Sequence, residues 1–380
     1  MRRLLLLAAL LSCACGGEKD PDAQGVKIGF YGALSGPTAT FALSGKNGTL
    51  LAVEQINAAG GVLGKPIVLL AEDDRGEASE AASVVSKLIT RDHVVALIGE
   101  QASSRTLAAA PVAQSYGVPM ISPTSTNVEV TKKGDYVFRA CFIDSYQGRV
   151  LAVFARDNLK ASTAAILVDV RSDYSVGLAD AFRAAFVARG GRVLQELKYS
   201  EGDSDFSAQL TAIRPSKVDV IVVPGYYTDA GLIARQARSL GLAATLLGAD
   251  GWDSPKLVEI GGEAMEGAYF SNHYSVDDPS PAVRAFVEAY KARYGAEPDS
   301  IAASSYDATR MLADAITRAG STEGRRIRDA LASTRDFPGV TGTITMDADR
   351  NPIKPAVVLK VEGGRFRFAA TIAPETDASR

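Results

Sequence analysis

The sequence predicts a two-lobed α/β protein, each lobe a parallel-sheet α/β sandwich and the two joined by a multi-strand hinge. Three observations predict it. The chain has 380 residues, more than one ordinary core organises, and its 47% hydrophobic and 22% charged residues are the balance of a globular chain. Short apolar strands alternate with amphipathic helices twice over, once on each side of Arg139. After Pro281 the chain changes to helices with few strands, then to strands without helices, so these late segments must complete lobes begun earlier.

The elements follow in order. Arg2 and Arg3 precede an apolar run from Leu4 to Leu11, an export signal too short for a membrane span of about 20 residues. In the following SCACGG a cysteine directly after a small residue resembles a bacterial lipobox, whose thiol is acylated and becomes the new N-terminus. Cys13 has Leu10 three residues upstream, whereas Cys15 follows Ala14 at a more usual signal length and is favoured of the two. Residues 1–15 are then signal peptide and lipobox, and the polar, Gly/Pro-containing residues 16–25 a tether to a bacterial membrane. Cys141 alone remains in the folded part, where no internal disulfide can form and a buried, inert thiol is expected.

Val26 to Phe30 is the first strand, and a glycine-rich loop leads to a helix from about Asn47 to Ala59, stopped by Gly60 and Gly61. Pro66 to Ala71 is the second strand, followed by a helix with Ala81, Val84, Val85 and Leu88 on one face. Strands Val94 to Ile98 and Pro119 to Ile121, with a helix between them, complete this sheet. The second unit runs through a helix over Val150 to Phe154 and strand Ala164 to Val168, then a helix carrying Leu178, Phe182 and Phe186. Strands Arg192 to Leu197, Val218 to Val223 and Thr245 to Leu247 alternate with helices Phe206 to Ile213 and Ala230 to Leu240. Helices Pro281 to Tyr294, Ser304 to Arg318 and Gly324 to Ser333 return to the first lobe, and the strand-rich Thr341 to Phe368, turning at Gly363-Gly364, returns to the second. Residues 26–140 and 273–338 thus form one lobe, 141–272 and 339–370 the other, and 371–380 a tail. Several crossing segments make a hinge that permits closure around a ligand.

Several function classes are disfavoured. A net charge of −3 without long like-sign runs gives no electrostatic footprint for nucleic acid. His93 and His273, the only histidines, stand beside strands without metal-ligand spacing or a nucleophile nearby, and are expected to be ordinary packing residues. Gly29, Gly32 and Gly36 do not form a dinucleotide fingerprint, and no phosphate-binding loop appears. Glu72, Asp73 and Asp74 are expected to be solvated loop acids without chemistry. Neither a cofactor nor a metal is expected, and catalysis is not.

The candidate site is a cradle of small polar residues at neighbouring strand ends. Ser103 and Ser104 follow one strand, and Thr124, Ser125 and Thr126 the next; in a parallel sheet these ends face one crevice. Free N–H groups at the helix entry favour a carboxylate, hydroxyls can donate to it, and carbonyls beyond the strand can accept from an ammonium, so an amino-acid head group fits this chemistry.

The segments IGFYGALSGPTATF, INAAGGVLGKPIVLLAEDD, ALIGEQASSRT, GVPMISPTST, Asp173-Tyr174-Ser175-Val176-Gly177, VIVVPGYYTDAGLIARQARSLGL, LLGADGW and SSYDA stand in one order across both lobes. On them the chain resembles the periplasmic Leu/Ile/Val-binding proteins, the substrate-binding components of branched-chain amino-acid ABC transporters. The resemblance implies the type I periplasmic-binding-protein fold and an exported binder that delivers a free amino acid to a membrane permease with its ATPase subunits. A sensing lipoprotein that reports a small amino acid or amide to a membrane partner is the alternative. Ser103 and Thr126 match positions that hold the ligand carboxylate, and the Thr124 carbonyl and Thr126 hydroxyl match positions that receive the ammonium. Tyr174 and Tyr226 match aromatic positions that close over the head group from the other lobe. Asp250 stands where the family usually has a glutamate pairing with the ammonium, and is shorter by one methylene. Phe41, Gln101, Ile301 and Ala302 match the side-chain pocket, and Ala102 is counted with Ser125 among the ligand contacts. Arg75 and Ala102 stand near the places of a loop cysteine pair that this chain lacks. Gln101 puts a polar group where an all-aliphatic pocket would not want one unpaired. Trp252 either caps the pocket or packs the second lobe.

Overall fold

The computed structural model describes residues 25–373, so the export signal, Cys13, Cys15 and nearly all of the tether lie outside the described residues, as does the tail from Pro374. Among the described residues no helix is long and apolar enough to cross a membrane.

The first lobe begins with β1 (Val26–Gly32), α1 (Ala39–Ala58), β2 (Ile67–Asp73) and α2 (Ala78–Thr90). It continues with β3 (Ala96–Ile98), α3 (Ser103–Tyr116), β4 (Met120–Ser122) and β5 (Val137–Arg139). The five strands pair in parallel in the order β2-β1-β3-β4-β5. The order reverses between β1 and β3, and the crevice outside their carboxyl ends is where an open parallel sheet receives a ligand.

The second lobe runs through α4 (Asp144–Val153), β6 (Thr163–Asp169), α5 (Asp173–Ala188), β7 (Arg192–Tyr199) and α6 (Ser207–Ile213). It then adds β8 (Val220–Val222), α7 (Tyr227–Ser239), β9 (Thr245–Gly248), α8 (Pro255–Gly261) and β10 (Tyr269–Asn272). The chain recrosses to lay α9 (Pro281–Tyr294), α10 (Ser300–Ala319) and α11 (Gly324–Ala332) on the first lobe. It forms the small hairpin β11 (Phe337–Gly339) and β12 (Gly342–Ile344), then returns as β13 (Ala356–Glu362) and β14 (Arg365–Ile372). The seven-stranded sheet has the order β14-β13-β10-β9-β8-β6-β7, with β13 and β14 antiparallel at one edge. Gly363 and Gly364 turn that edge with φ of +58° and +70°, a conformation glycine adopts without strain.

Each sheet is buried between helices. In the first lobe Ile28, Phe30 and Ile98 pack against Met311 and Ile316 of α10 on one face, while Leu97 and Met120 pack against Val85, Leu88 and Ala109 of α2 and α3 on the other. In the second, Ile166, Leu167 and Ile221 are enclosed by Leu151, Phe182 and Ile233.

Four expectations change. Helix α1 starts at Ala39 rather than Asn47, because Gly45 and Gly48 are close-approach residues and not breakers: a Cβ on Gly48 would stand 2.1 Å from the Ala302 carbonyl oxygen of α10. Helix α10 starts at Ser300 rather than Ser304, its entry capped by Asp299, whose carboxylate accepts from Ala302 N. Strands β5 and β10 were not anticipated. The first lobe also extends past residue 338. Phe337, Ile344 and Met346 pack with Ile327 and Leu331 in its core, and the second-lobe strands begin only at Ala356.

Candidate functional site

The first-lobe wall is built by the turns after β3 and β4. Helix α3 begins at Ser103, and its first internal bond runs from Thr106 N to Ala102 O, leaving the N–H groups of Ser103, Ser104 and Arg105 without a helical acceptor. These donors and the helix dipole make the entry an anion-binding end. The Ser103 hydroxyl accepts from Asn127 N at 3.1 Å and keeps its own proton to donate. The Thr124 hydroxyl donates to the Gln101 carbonyl at 3.1 Å, so Thr124 offers the crevice its backbone.

The second-lobe wall is aromatic and acidic. Tyr174, in the first turn of α5, stacks on Tyr226 with ring centroids 5.4 Å apart and planes 14° from parallel. The Tyr174 hydroxyl donates to Asp250 Oδ1 at 2.8 Å, and Gln147 Nε2 donates to the same oxygen at 2.8 Å. His273 Nε2 lies 3.1 Å from Asp250 Oδ2. Burial holds the His273 imidazole below its ordinary pKa, so the ring is neutral and donates Nε2–H. Asp250 is therefore a buried carboxylate held by three neutral donors from three parts of the chain. No protein cation neutralises it at these contacts.

The two walls close on a tight cavity with water-accessible space of about 10 Å³, room for about one water. Ser103, Thr124 and Gln101, with Phe41 of α1 and Ile301 of α10, line it from the first lobe, and Tyr174, Tyr226, Asp250 and Gly251 from the second. Phe41 meets Tyr226 and Tyr227 edge-on across the cleft, with centroids 5.7 and 4.9 Å apart.

The lobes are closed on each other by polar contacts around the cavity. Asp173 N donates to Ser104 Oγ at 3.0 Å, and Asn127 Nδ2 to the Asp173 carbonyl at 2.7 Å. Tyr227 and Thr228 both donate to the Pro37 carbonyl, Ser300 N donates to Asp253, and Arg105 pairs with Glu201 at 3.4 Å. Beneath Arg105, burial and then the charge of Asp74 raise Glu100 to about 8, and burial raises Asp74 itself to about 6.

Most residues expected in the site come together there, but Ser104, Ser125, Ala102, Thr126 and Ala302 do not line the cavity, the Ala302 carbonyl facing Gly48 of α1 instead. The Ser125 hydroxyl bonds the Glu100 carbonyl at 2.9 Å and Thr106 Oγ1 at 2.7 Å, which makes it a brace between the two turns. Ala102 stands at the α3 entry with its N–H turned to the Glu100 carboxylate. Thr126 is fully buried behind the wall, its hydroxyl beside the Asp144 carboxyl. Trp252 packs the second lobe and does not cap the pocket: its indole N–H bonds the Val223 carbonyl at 3.1 Å, and its ring fills the space over Gly248. Cys141 is buried, and burial pushes its thiol up to about 12. Asp73 gathers the N–H groups of Leu34, Ser35 and Arg75, a turn-building role.

Three residues were missed. His273, expected to be a packing residue, braces Asp250. Gln147 does the same from α4. Asp144 is buried beside the Thr126 hydroxyl, and burial, opposed by that hydroxyl and reinforced by Asp250, raises it to about 8. Its disguise is local: an acid followed three residues later by a glutamine is the ordinary signature of a helix start.

A family profile described as periplasmic binding protein matches residues 25–365. The Leu/Ile/Val-binding protein BraC3 of Rhizobium johnstonii is 34% identical over 322 residues, covering 84% of this chain and 87% of that protein. The crystal structure of a leucine-binding protein, LivK, from Thermotoga maritima superposes with a TM-score of 0.89 at 42% identity, covering 92% of this chain and 99% of that one. A branched-chain amino-acid transporter substrate-binding protein, LivJ, from Streptococcus pneumoniae, solved with isoleucine, gives 0.88 at 37% identity, covering 92% and all of that chain.

Proposed function

The chain belongs to the periplasmic binding protein family, and from that premise we propose that it captures one free amino acid, branched-chain or related, between its lobes and presents it to an ABC permease. The observation that carries the reading is the polarity of the cavity. The unpaired N–H groups at the α3 entry lie on one wall and the braced Asp250 carboxylate on the other, which suits a zwitterion. In this reading the Ser103 N–H and hydroxyl hold the ligand carboxylate. The Thr124 carbonyl and the open side of Asp250 receive the ammonium. Tyr174 and Tyr226 cover the head group.

Binding is the whole chemistry: nothing is transformed, and work is done by differential affinity. A ligand touching both walls favours the closed arrangement over the open one by its extra second-lobe contacts, and the permease then distinguishes loaded from empty protein by shape. The shorter aspartate reaches the cavity because it lies on the wall itself. An acylated Cys15 or Cys13 would hold this binder at the membrane surface where the permease sits, with the tether leaving both lobes free to close.

The test is calorimetric titration of the tether-truncated protein, stripped of carried-over ligand by unfolding and refolding, with free L-amino acids and their N-acetyl and amide derivatives. Binding of a free amino acid and loss of both derivatives is the expected result. Equal binding of the N-acetyl form would remove Asp250 from the ammonium role, and silence across the panel would overturn the amino-acid reading.

A further inference from the structure

We propose that the side-chain end of the cavity is built for an amino acid whose side chain carries a hydroxyl or carboxamide, in preference to an aliphatic side chain of the same shape. The inference rests on the amino-acid reading above and narrows it. Gln101, in the turn after β3, is 5% exposed and lines the cavity together with Phe41 and Ile301. Neither its Oε1 nor its Nε2 has a hydrogen-bond partner. A buried amide is rarely left so, and an apolar side chain of similar size would fill the same place without that penalty.

The surroundings extend the argument. The amide lies over two glycines: a Cβ on Gly32 would stand 2.5 Å from its Oε1, and one on Gly45 would stand 3.0 Å from its Nε2. The same Cβ on Gly45 would stand 2.9 Å from the hydroxyl of Ser305 on α10, which is also buried and unpartnered. The hydroxyls of Ser304 and Thr49, on the two helices that meet here, lack partners as well. Of these unpartnered groups, Gln101 is the one that lines the cavity, beside Phe41 and Ile301. An aliphatic occupant leaves Gln101 unsatisfied or dependent on trapped water, whereas a short polar side chain supplies what is missing.

L-Threonine and L-valine share one shape and differ by a hydroxyl for a methyl, so their ratio of affinities reads the proposal directly. A hydrophobic pocket favours the methyl by about 100-fold, whereas a site built to bond the hydroxyl reverses the preference, by up to about 10⁴-fold. Titration of the stripped protein is expected to give threonine at least about tenfold tighter than valine. In Gln101→Leu the ratio is expected to fall below one, chiefly by a gain for valine, with the melting temperature held or raised. Valine as tight as threonine, or tighter, in the unaltered protein overturns the proposal even if the variant fails to fold. A ratio unchanged by Gln101→Leu also overturns it. Leucine or isoleucine binding with threonine silent would sink this inference while leaving the amino-acid reading intact; silence from all four, with the rest of the panel, sinks both.

Discussion

On its first-lobe side the cavity wall is main chain and short hydroxyls: the α3 entry at Ser103, the Thr124 backbone and a glutamine. On its second-lobe side it is two stacked tyrosines and a carboxylate carried by three donors. The first set is positioned by turns directly after β3 and β4, which brace each other through Ser125, Thr106 and Glu100 without help from the other lobe. The second depends on distant parts. Gln147 comes from the first helix after a crossing, and His273 lies in the segment where the chain recrosses. The difference teaches that one half-site is ready before closure, while the charge in the other is held by the hinge.

The largest effect should come from removing that charge. Asp250→Ala is expected to weaken amino-acid binding by about 2–4 kcal/mol, because it leaves a buried ammonium unpaired, with titration as the check. Ser103→Ala should weaken it by roughly 1.5 kcal/mol, since a hydrogen bond to a charged group is lost while the backbone N–H stays. If the serine costs as much as the aspartate, the division of labour between the walls is wrong.

Asp144 sharpens the comparison through pH. Its carboxyl is raised to about 8 in the fold by burial, against about 4 in an unfolded chain. The native state therefore holds this proton more tightly, so the group's stabilising contribution is complete below pH ~4 and is lost as the pH rises through ~8. Asp144→Asn should gain stability relative to the unaltered protein between pH 5 and 9, as read by paired thermal melts. A constant difference across that range would mean that Asp144 does not titrate there. The smallest effect is expected at the rim. Glu201→Gln removes the partly exposed pair with Arg105 and should weaken binding by about 0.2–1 kcal/mol at low salt and by less at high salt.

Much of the first half-site was legible in the chain, because its logic is local. An apolar strand, a small-polar turn and a helix within a few residues bring Ser103 and Thr124 to one crevice wherever a parallel sheet forms. Alternation, one-face spacing and turn glycines likewise disclosed the two lobes and the late helices. The start of α1 was misplaced because glycine spacing looks the same whether it breaks a helix or lets another approach. The boundary near residue 338 was misplaced because a three-residue hairpin does not declare which core it joins.

By itself, then, the sequence determined the strand-and-helix grammar, the two lobes and the strand ends that bring Ser103 and Thr124 to one crevice, since each follows from periods and turns spanning a few residues. Only the tertiary structure decided that His273 and Gln147 hold Asp250, that Asp144 is buried rather than capping, and that Gln101 stands unpaired. Each of these is a statement about what lies beside a side chain across tens to more than a hundred residues of chain. Where two crossings of the hinge meet is set by the packing of both sheets, and no short stretch of sequence carries it.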